Sequence, residues 1–296
     1  MSILLSAIAP VIFIILIGFV AAQTLALEKK TLSQLTVYIL APALTAHGLY
    51  QTTLSTASIS GLVLGFAIAS LILYLIALGL GKLFQLPPPI QKSLIAITLF
   101  PNTGNLGLSF ITFSLGEAGL ERAIIYLIAA SILMFGLGPA LLSGGGFISS
   151  FRLIFKLPLI WAIFVGLLLR LFSAELPFNL EQSIEQLGFA SIPVALVILG
   201  MELAHTPWKI GIFEVCASSL RLLMAPLIAY GIGRGLHLEG LDLQVLVLQS
   251  AMPVAVNAFI LSTEFGGHPP RVARTIVIST IMSFGTLPLL LWILTR

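Results

Sequence analysis

Phe100-Pro101-Asn102-Thr103-Gly104-Asn105-Leu106-Gly107 interrupts an apolar segment near its middle. About 150 residues later Met252-Pro253-Val254-Ala255-Val256-Asn257 interrupts another. A proline inside a helix removes one N–H donor and pushes away the carbonyl four residues earlier. The spacing therefore frees the carbonyls of Ile97 and Gln249. In hydrocarbon an unsatisfied backbone group is costly, so such breaks persist only inside protein or beside water. The first stretch carries two glycines, which let backbone approach a ligand. The second has none and reads as a milder kink.

Outward from the breaks, the chain matches itself. Pro10 and Gly18 recur as Pro158 and Gly166, Pro42 as Pro193, Lys82 as Arg234, and Arg122 as Arg271. Phe135-Gly136-Leu137-Gly138-Pro139 returns as Phe284-Gly285-Thr286-Leu287-Pro288. Charged residues make up 8% of the 296 residues and hydrophobic ones 58%, against about 25% charged in a soluble domain. With a mean hydropathy of +1.13, the chain needs lipid over most of its surface. About 20 apolar residues cross a bilayer. Ten spans are expected, at 3–22, 32–50, 59–82, 91–115, 121–142, 155–173, 183–204, 210–234, 243–264 and 273–295. The expected fold is an all-α integral membrane protein with a single membrane transport domain over 1–296. Repeat one covers 1–142, a linker around Gly144-Gly145-Gly146 covers 143–154, and repeat two covers 155–296.

Charge sets the expected orientation. With the N-terminus outside, inner loops hold Lys29, Lys30, Lys82, Lys92, Arg152, Lys156, Lys209, Arg271 and Arg274. Outer segments hold only Arg122, Arg170, Arg234 and Arg296. The excess inside favours both termini outside. Each repeat has five spans, an odd number, so the second copy lies upside-down relative to the first. Inversion brings the breaks in the fourth and ninth helices together near the midplane, where they cross.

Half-helices starting at that crossing point N–H groups and positive dipole ends into it. Such a site suits an anion, above all a carboxylate. The candidate substrate-binding residues are Pro101, Asn102, Thr103, Gly104, Asn105, Pro253 and Asn257. The competing account is that the prolines only kink packed helices while the asparagines satisfy freed backbone. His47 has two readings: a substrate contact or proton carrier, or a neutral histidine bonded to a neighbouring helix. Arg221 lies deep in a span and needs a partner or a water cavity. It holds an anion or pairs with Glu202 or Glu214. Glu202 and Glu264 fall near helix ends, and Glu202 is a candidate counter-charge.

Several functions are excluded by what is missing. One cysteine, Cys216, rules out an internal disulfide and a cysteine metal cluster. Asp242 is the only aspartate, so paired-aspartate chemistry is absent. Neither a His-Glu-x-x-His metal motif nor a phosphate loop occurs. The chain is not expected to be an enzyme or to hold a metal or cofactor, and its energy must come from gradients. The pI of 9.2 needs no nucleic acid to explain it. The first run, Ile3 to Ala22, lacks a preceding positive residue and reads as a retained helix rather than a cleaved signal.

Three motifs resemble the auxin efflux carrier family, which includes plant carriers and many bacterial permeases. Pro101-Asn102-Thr103 followed by Gly107-Leu108 is similar to its fourth-helix signature, and Pro42-Ala43-Leu44-Thr45-Ala46-His47 to its second-helix pattern. Pro253, Phe259, Glu264, Phe265, His268 and Pro269 match the ninth helix and the loop after it. The resemblance covers the whole chain. It implies crossed helices four and nine, an elevator-like movement of a transport domain, carboxylate-type substrates and a homodimer. The long central loop of the plant carriers is reduced here to the Gly144 linker. The charged residues that those carriers place at the start of the third helix are missing from Ser55 to Leu64. A small organic acid such as malonate or malate is therefore expected rather than auxin.

The leading expectation is a secondary active transporter of a small organic anion in the plasma (inner) membrane, with a proton or sodium ion as coupling ion. The alternative is a sodium-coupled symporter of the bile-acid type, with the polar crossing holding sodium. A membrane-embedded enzyme or sensor is the third reading.

Overall fold

The computed structural model describes residues 2–143, 155, 157–205 and 210–296, which form helices and no strand. The Gly144 linker, Arg152, Lys156 and Lys209 lie outside the described residues. The helices are α1 (Ser2–Thr24), α2 (29–50), α3 (Thr56–Leu83), α4 (Pro88–Leu99), α5 (Thr103–Leu142), α6 (Pro158–Leu171), α7 (Pro177–His205), α8 (Ile212–Gly235), α9 (Gly240–Ser250), α10 (Asn257–Glu264) and α11 (Pro269–Leu294). Five of them, α3, α5, α7, α8 and α11, are long and apolar enough to cross a membrane. Ile8–Thr24 of α1 and all of α6 form shorter apolar helices. Gly116, at φ 69° and ψ −164°, breaks α5 where the sequence predicts a loop between two spans.

Local chemistry explains where these helices start and widen. Pro88, Pro158 and Pro269 open α4, α6 and α11, where a missing N–H leaves nothing unpaired. The Ser55 hydroxyl caps α3 by accepting the Ser58 N–H at 3.1 Å. π-turns at Thr36–Leu40, Ile132–Leu137 and Leu220–Met224 stand just ahead of Pro42, Pro139 and Pro226. Widening the ladder there accommodates a residue that cannot donate to it. One turn recurs. It ends α6, where Ser173 adopts φ 45° and the Ala174 N–H reaches the Leu169 carbonyl at 3.0 Å. After α3, Gln85 adopts φ 48° and the Leu86 N–H reaches the Gly81 carbonyl at 2.9 Å. After α8, His237 adopts φ 56° and the Leu238 N–H reaches the Gly233 carbonyl at 2.8 Å.

The rods gather into two bodies. In the first, α1 packs along α7, and α2 packs on α6 and α7. Bare backbone makes these crossings close. A Cβ on Gly18 would overlap the Val197 carbonyl oxygen, and one on Gly166 would lie 2.7 Å from that of Ala46. The repeated glycines thus face α7 and α2 in matching contacts. The second body contains α3, α4, α5, α8, α9, α10 and α11. Apolar side chains of both bodies, among them Leu44, Ile192, Leu106 and Leu108, meet along the seam between them. Large apolar residues also cover the outside: Leu171 is 75% exposed, Leu227 67% and Phe13 64%. That surface suits lipid and not water.

Candidate functional site

Two interruptions of helix meet at the centre of the second body. The chain leaves helix at 100–102 between α4 and α5, and at 251–256 between α9 and α10. The second break is therefore a full unwinding, longer than the first, and not the milder kink expected from its lack of glycine. The two extended segments pair antiparallel at Pro101 and Val254. The Asn102 N–H donates to the Pro253 carbonyl at 2.7 Å, and the Ala255 N–H to the Phe100 carbonyl at 2.9 Å. Each break thus satisfies backbone in the other, which lets both survive out of water.

The expected open carbonyl of Gln249 is occupied, accepting the Met252 N–H at 3.4 Å. Arg221 supplies a partner to three further carbonyls, those of Thr98, Ser250 and Met252. The arginine is 2% exposed. Its guanidinium donates to the Thr98 carbonyl at 2.7 Å, the Ser250 carbonyl at 2.5 Å and the Met252 carbonyl at 3.1 Å. It pairs with neither Glu202 nor Glu214, which corrects the partners expected from sequence: Glu202 takes Lys29, and Glu214 lies 3.9 Å from Arg274. The positive side chain instead closes the carbonyl ends of α4 and α9 together.

Beside the crossing is a cavity of about 90 Å³, lined by Pro101, Asn102, Thr103, Gly104, Asn105 and Asn257, with Ser131 and Phe135 from α5. A second hollow of about 130 Å³ shares Gly104, Asn105, Ser131, Phe135 and Asn257. It continues across the seam to Thr36, Pro158 and Ser191 of the first body. Neither lining contains an acidic or basic side chain. The first turns of α5 and α10 border both. Six of the seven expected binding residues thus come together, while Pro253 is buried behind them in the paired backbone.

The asparagines are not equivalent. Asn102 is 4% exposed, and its Oδ1 accepts the Asn105 N–H at 3.3 Å, capping α5. Its Nδ2 is buried without a partner. Asn105 and Asn257, the repeated pair, are partly exposed and line both hollows. His47 is elsewhere. It lines a separate seam cavity of about 330 Å³ with Gln51, Glu117, Glu121 and Glu185, its Nδ1 buried without a partner. Glu202, paired with Lys29, also stands outside the crossing.

Sequence reading missed Ser131 and Ser191, and it marked Phe135 only as the head of a repeated motif. The two serines sit in apolar sequence, and their one signal is nearness to Pro139 and Pro193. It also missed Gln249, whose side-chain amide is buried unpartnered against Gly107.

The family described as membrane transport protein matches residues 3–145 and 147–293. An uncharacterized transporter of Methanothermobacter thermautotrophicus is 30% identical over 299 residues, covering 94% of each chain. A Rhizobium meliloti protein provisionally described as a malonate transporter is 26% identical over 206 residues, 66% of this chain and 64% of its own. A rice protein (Oryza sativa subsp. japonica), provisionally described as an auxin efflux carrier component, is 28% identical over 116 residues, 38% of this chain and 20% of its own. With a match along nearly its whole length, this multi-pass chain belongs to the membrane transport protein family, the family shared with the auxin efflux carriers.

Proposed function

We propose that the protein is a secondary active carrier of a small organic anion, a mono- or dicarboxylate, bound at the crossing of the two broken helices. The observation that carries this reading is the charge-free cavity bordered by two helix N-termini and three asparagines. Helix N-termini attract anions, and amide groups give directed hydrogen bonds. The size of about 90 Å³ favours a small acid, since drug-sized ligands occupy about 300–1,000 Å³. The similarity to a transporter provisionally described for malonate points to the same class.

The proposed architecture is ten crossings as two inverted repeats, 1–142 and 155–296. The matching contacts of Gly18 with Val197 and of Gly166 with Ala46 support it. Both termini lie outside the plasma membrane, and a homodimer is the proposed assembly. Access alternates as the second body slides along the first. Supporting this, the seam is hollow at both ends: Thr36 and Pro158 border the hollow on the proposed inner side, Gln51 and Glu117 that on the outer. Leu44, Leu108 and Ile192 pack between.

Uptake of mono- and dicarboxylates into proteoliposomes tests the reading, with wild type beside Asn257→Ala and Asn105→Ala. Uptake of one acid with about tenfold weaker half-saturation in each variant is the expected outcome. Unchanged uptake in both would remove the site from the crossing. No uptake by wild type of any acid would remove the substrate class.

A further inference from the structure

We propose that Arg221 is a resident counter-ion of the crossing, a tethered cation that occupies the negative helix ends so that the substrate anion is carried without a co-bound metal ion. The proposal rests on the carboxylate reading above and adds what neutralises the rest of the site.

Four helix ends meet at the crossing: the C-termini of α4 and α9 and the N-termini of α5 and α10. An aligned helix presents about half a positive charge at its N-terminus and half a negative charge at its C-terminus. Left alone, the four poles sum to nothing, and the crossing would offer a cation site and an anion site side by side. Carbonyls at the ends of broken helices are the groups that coordinate coupling cations in transporters of this kind. Here they are taken. Nε, Nη1 and Nη2 of Arg221 each donate to one carbonyl, from Met252, Thr98 and Ser250 in turn. Among the described residues Arg221 has no ion-pair partner. Backbone dipoles are therefore what balances its charge.

A charge buried without a carboxylate is costly unless its surroundings are arranged for it. The planar guanidinium suits the arrangement because its donors leave in fixed, divergent directions. Adding its charge to the tally cancels both negative ends. The two N-terminal poles remain, together worth about one positive charge. The crossing then matches a carboxylate with no metal ion present. Because α8, which carries Arg221, packs within the same body as the broken helices, the counter-charge travels with the site.

The first arm of the test uses purified full-length protein in detergent and needs no substrate. Melting temperature is followed as sodium chloride replaces choline chloride at constant ionic strength. Wild type is expected to show no shift. Arg221→Ala is expected to melt lower and to be restabilised saturably by millimolar guanidinium, which leaves wild type unchanged. Saturable stabilisation of wild type by sodium overturns the proposal, as does an Arg221→Ala protein that ignores guanidinium. The sodium arm on wild type stands even if Arg221→Ala fails to fold.

The second arm measures carboxylate uptake at clamped voltage and pH. Sodium replacement is expected to leave wild type and Arg221→Lys unaffected, and guanidinium to raise Arg221→Ala uptake about tenfold. A sodium requirement in wild type overturns the counter-ion. Guanidinium stabilisation without uptake of any acid upholds the counter-ion and overturns the carboxylate reading instead.

Discussion

Around Pro101 the chain leaves helix for 100–102 only, whereas around Pro253 it stays out from 251 to 256. The prolines are equivalent, but their C-terminal neighbours differ. Asn102 comes directly after the first proline and caps the next helix with its own side chain. Its carbonyl also accepts the Gly107 N–H at 2.9 Å, so the chain re-enters helix at once. Val254 holds the same place after the second proline and has no polar side chain to offer. Its N–H goes instead to the Ser279 hydroxyl of α11 at 3.2 Å, and the carbonyls of Ser250 and Met252 go to Arg221. On its C-terminal side the first break is capped from within its own segment, whereas the second is held by two other helices; Arg221 also takes the Thr98 carbonyl ahead of the first. A proline dictates that a ladder is interrupted; the nearest available cap decides for how long.

Substitutions can break this contrast in graded ways. The largest effect is expected at Arg221, where Arg221→Gln leaves buried carbonyls unpaired. Each such group costs about 1–3 kcal/mol, so a marked fall in melting temperature is expected. A melting temperature equal to wild type would show that the second break supports itself. Gly107→Ala comes next. The new Cβ would collide with the Gln249 Oε1 and so strain the contact between the breaks, at about 1–3 kcal/mol for an overpacked site. Full stability in that variant would mean that Gln249 moves freely and does not couple them.

At the repeated asparagines the contrast turns functional. Asn105→Ala and Asn257→Ala are predicted to weaken substrate binding about tenfold each, read by calorimetry, while melting stays close to wild type. Asn102→Ala is predicted to cost about 1 kcal/mol of stability through the lost cap, visible by thermal melting, before any change in substrate affinity is counted. A stable Asn102→Ala protein that no longer binds substrate would reverse this assignment. The smallest loss of stability among the supports is expected from Ser279→Ala, about 0.5 kcal/mol for one long hydrogen bond. An equal loss in Ser279→Ala and Asn102→Ala would make the supports interchangeable in strength. Unchanged melting in Ser279→Ala would leave the Val254 N–H satisfied by water.

Much of the site was legible because proline and asparagine announce themselves within apolar sequence. Pro101, Asn105 and Asn257 stood out against their neighbours and meet at one cavity. Ser131 did not, since a serine in an apolar helix ordinarily bonds back to its own backbone. His47 was as conspicuous as the asparagines and went to a different cavity, because spacing along α2 says nothing about which helix lies opposite. Arg221 was legible as a buried charge in need of partners. Its acidic neighbours were the wrong partners, because Glu202 and Glu214 are near in sequence but are engaged by Lys29 and Arg274.

By itself the sequence determined the solvent, the helical class and the two places where proline and asparagine disturb a helix. Those depend on local counts: the apolar fraction sets what can face lipid, and a missing N–H acts within one turn of its proline. Only the tertiary structure decided which asparagine caps and which faces the cavity, and how the second break is held. Those outcomes depend on contacts between residues far apart in the chain. The Arg221 bond to the Thr98 carbonyl spans 123 residues, a distance over which no spacing rule operates.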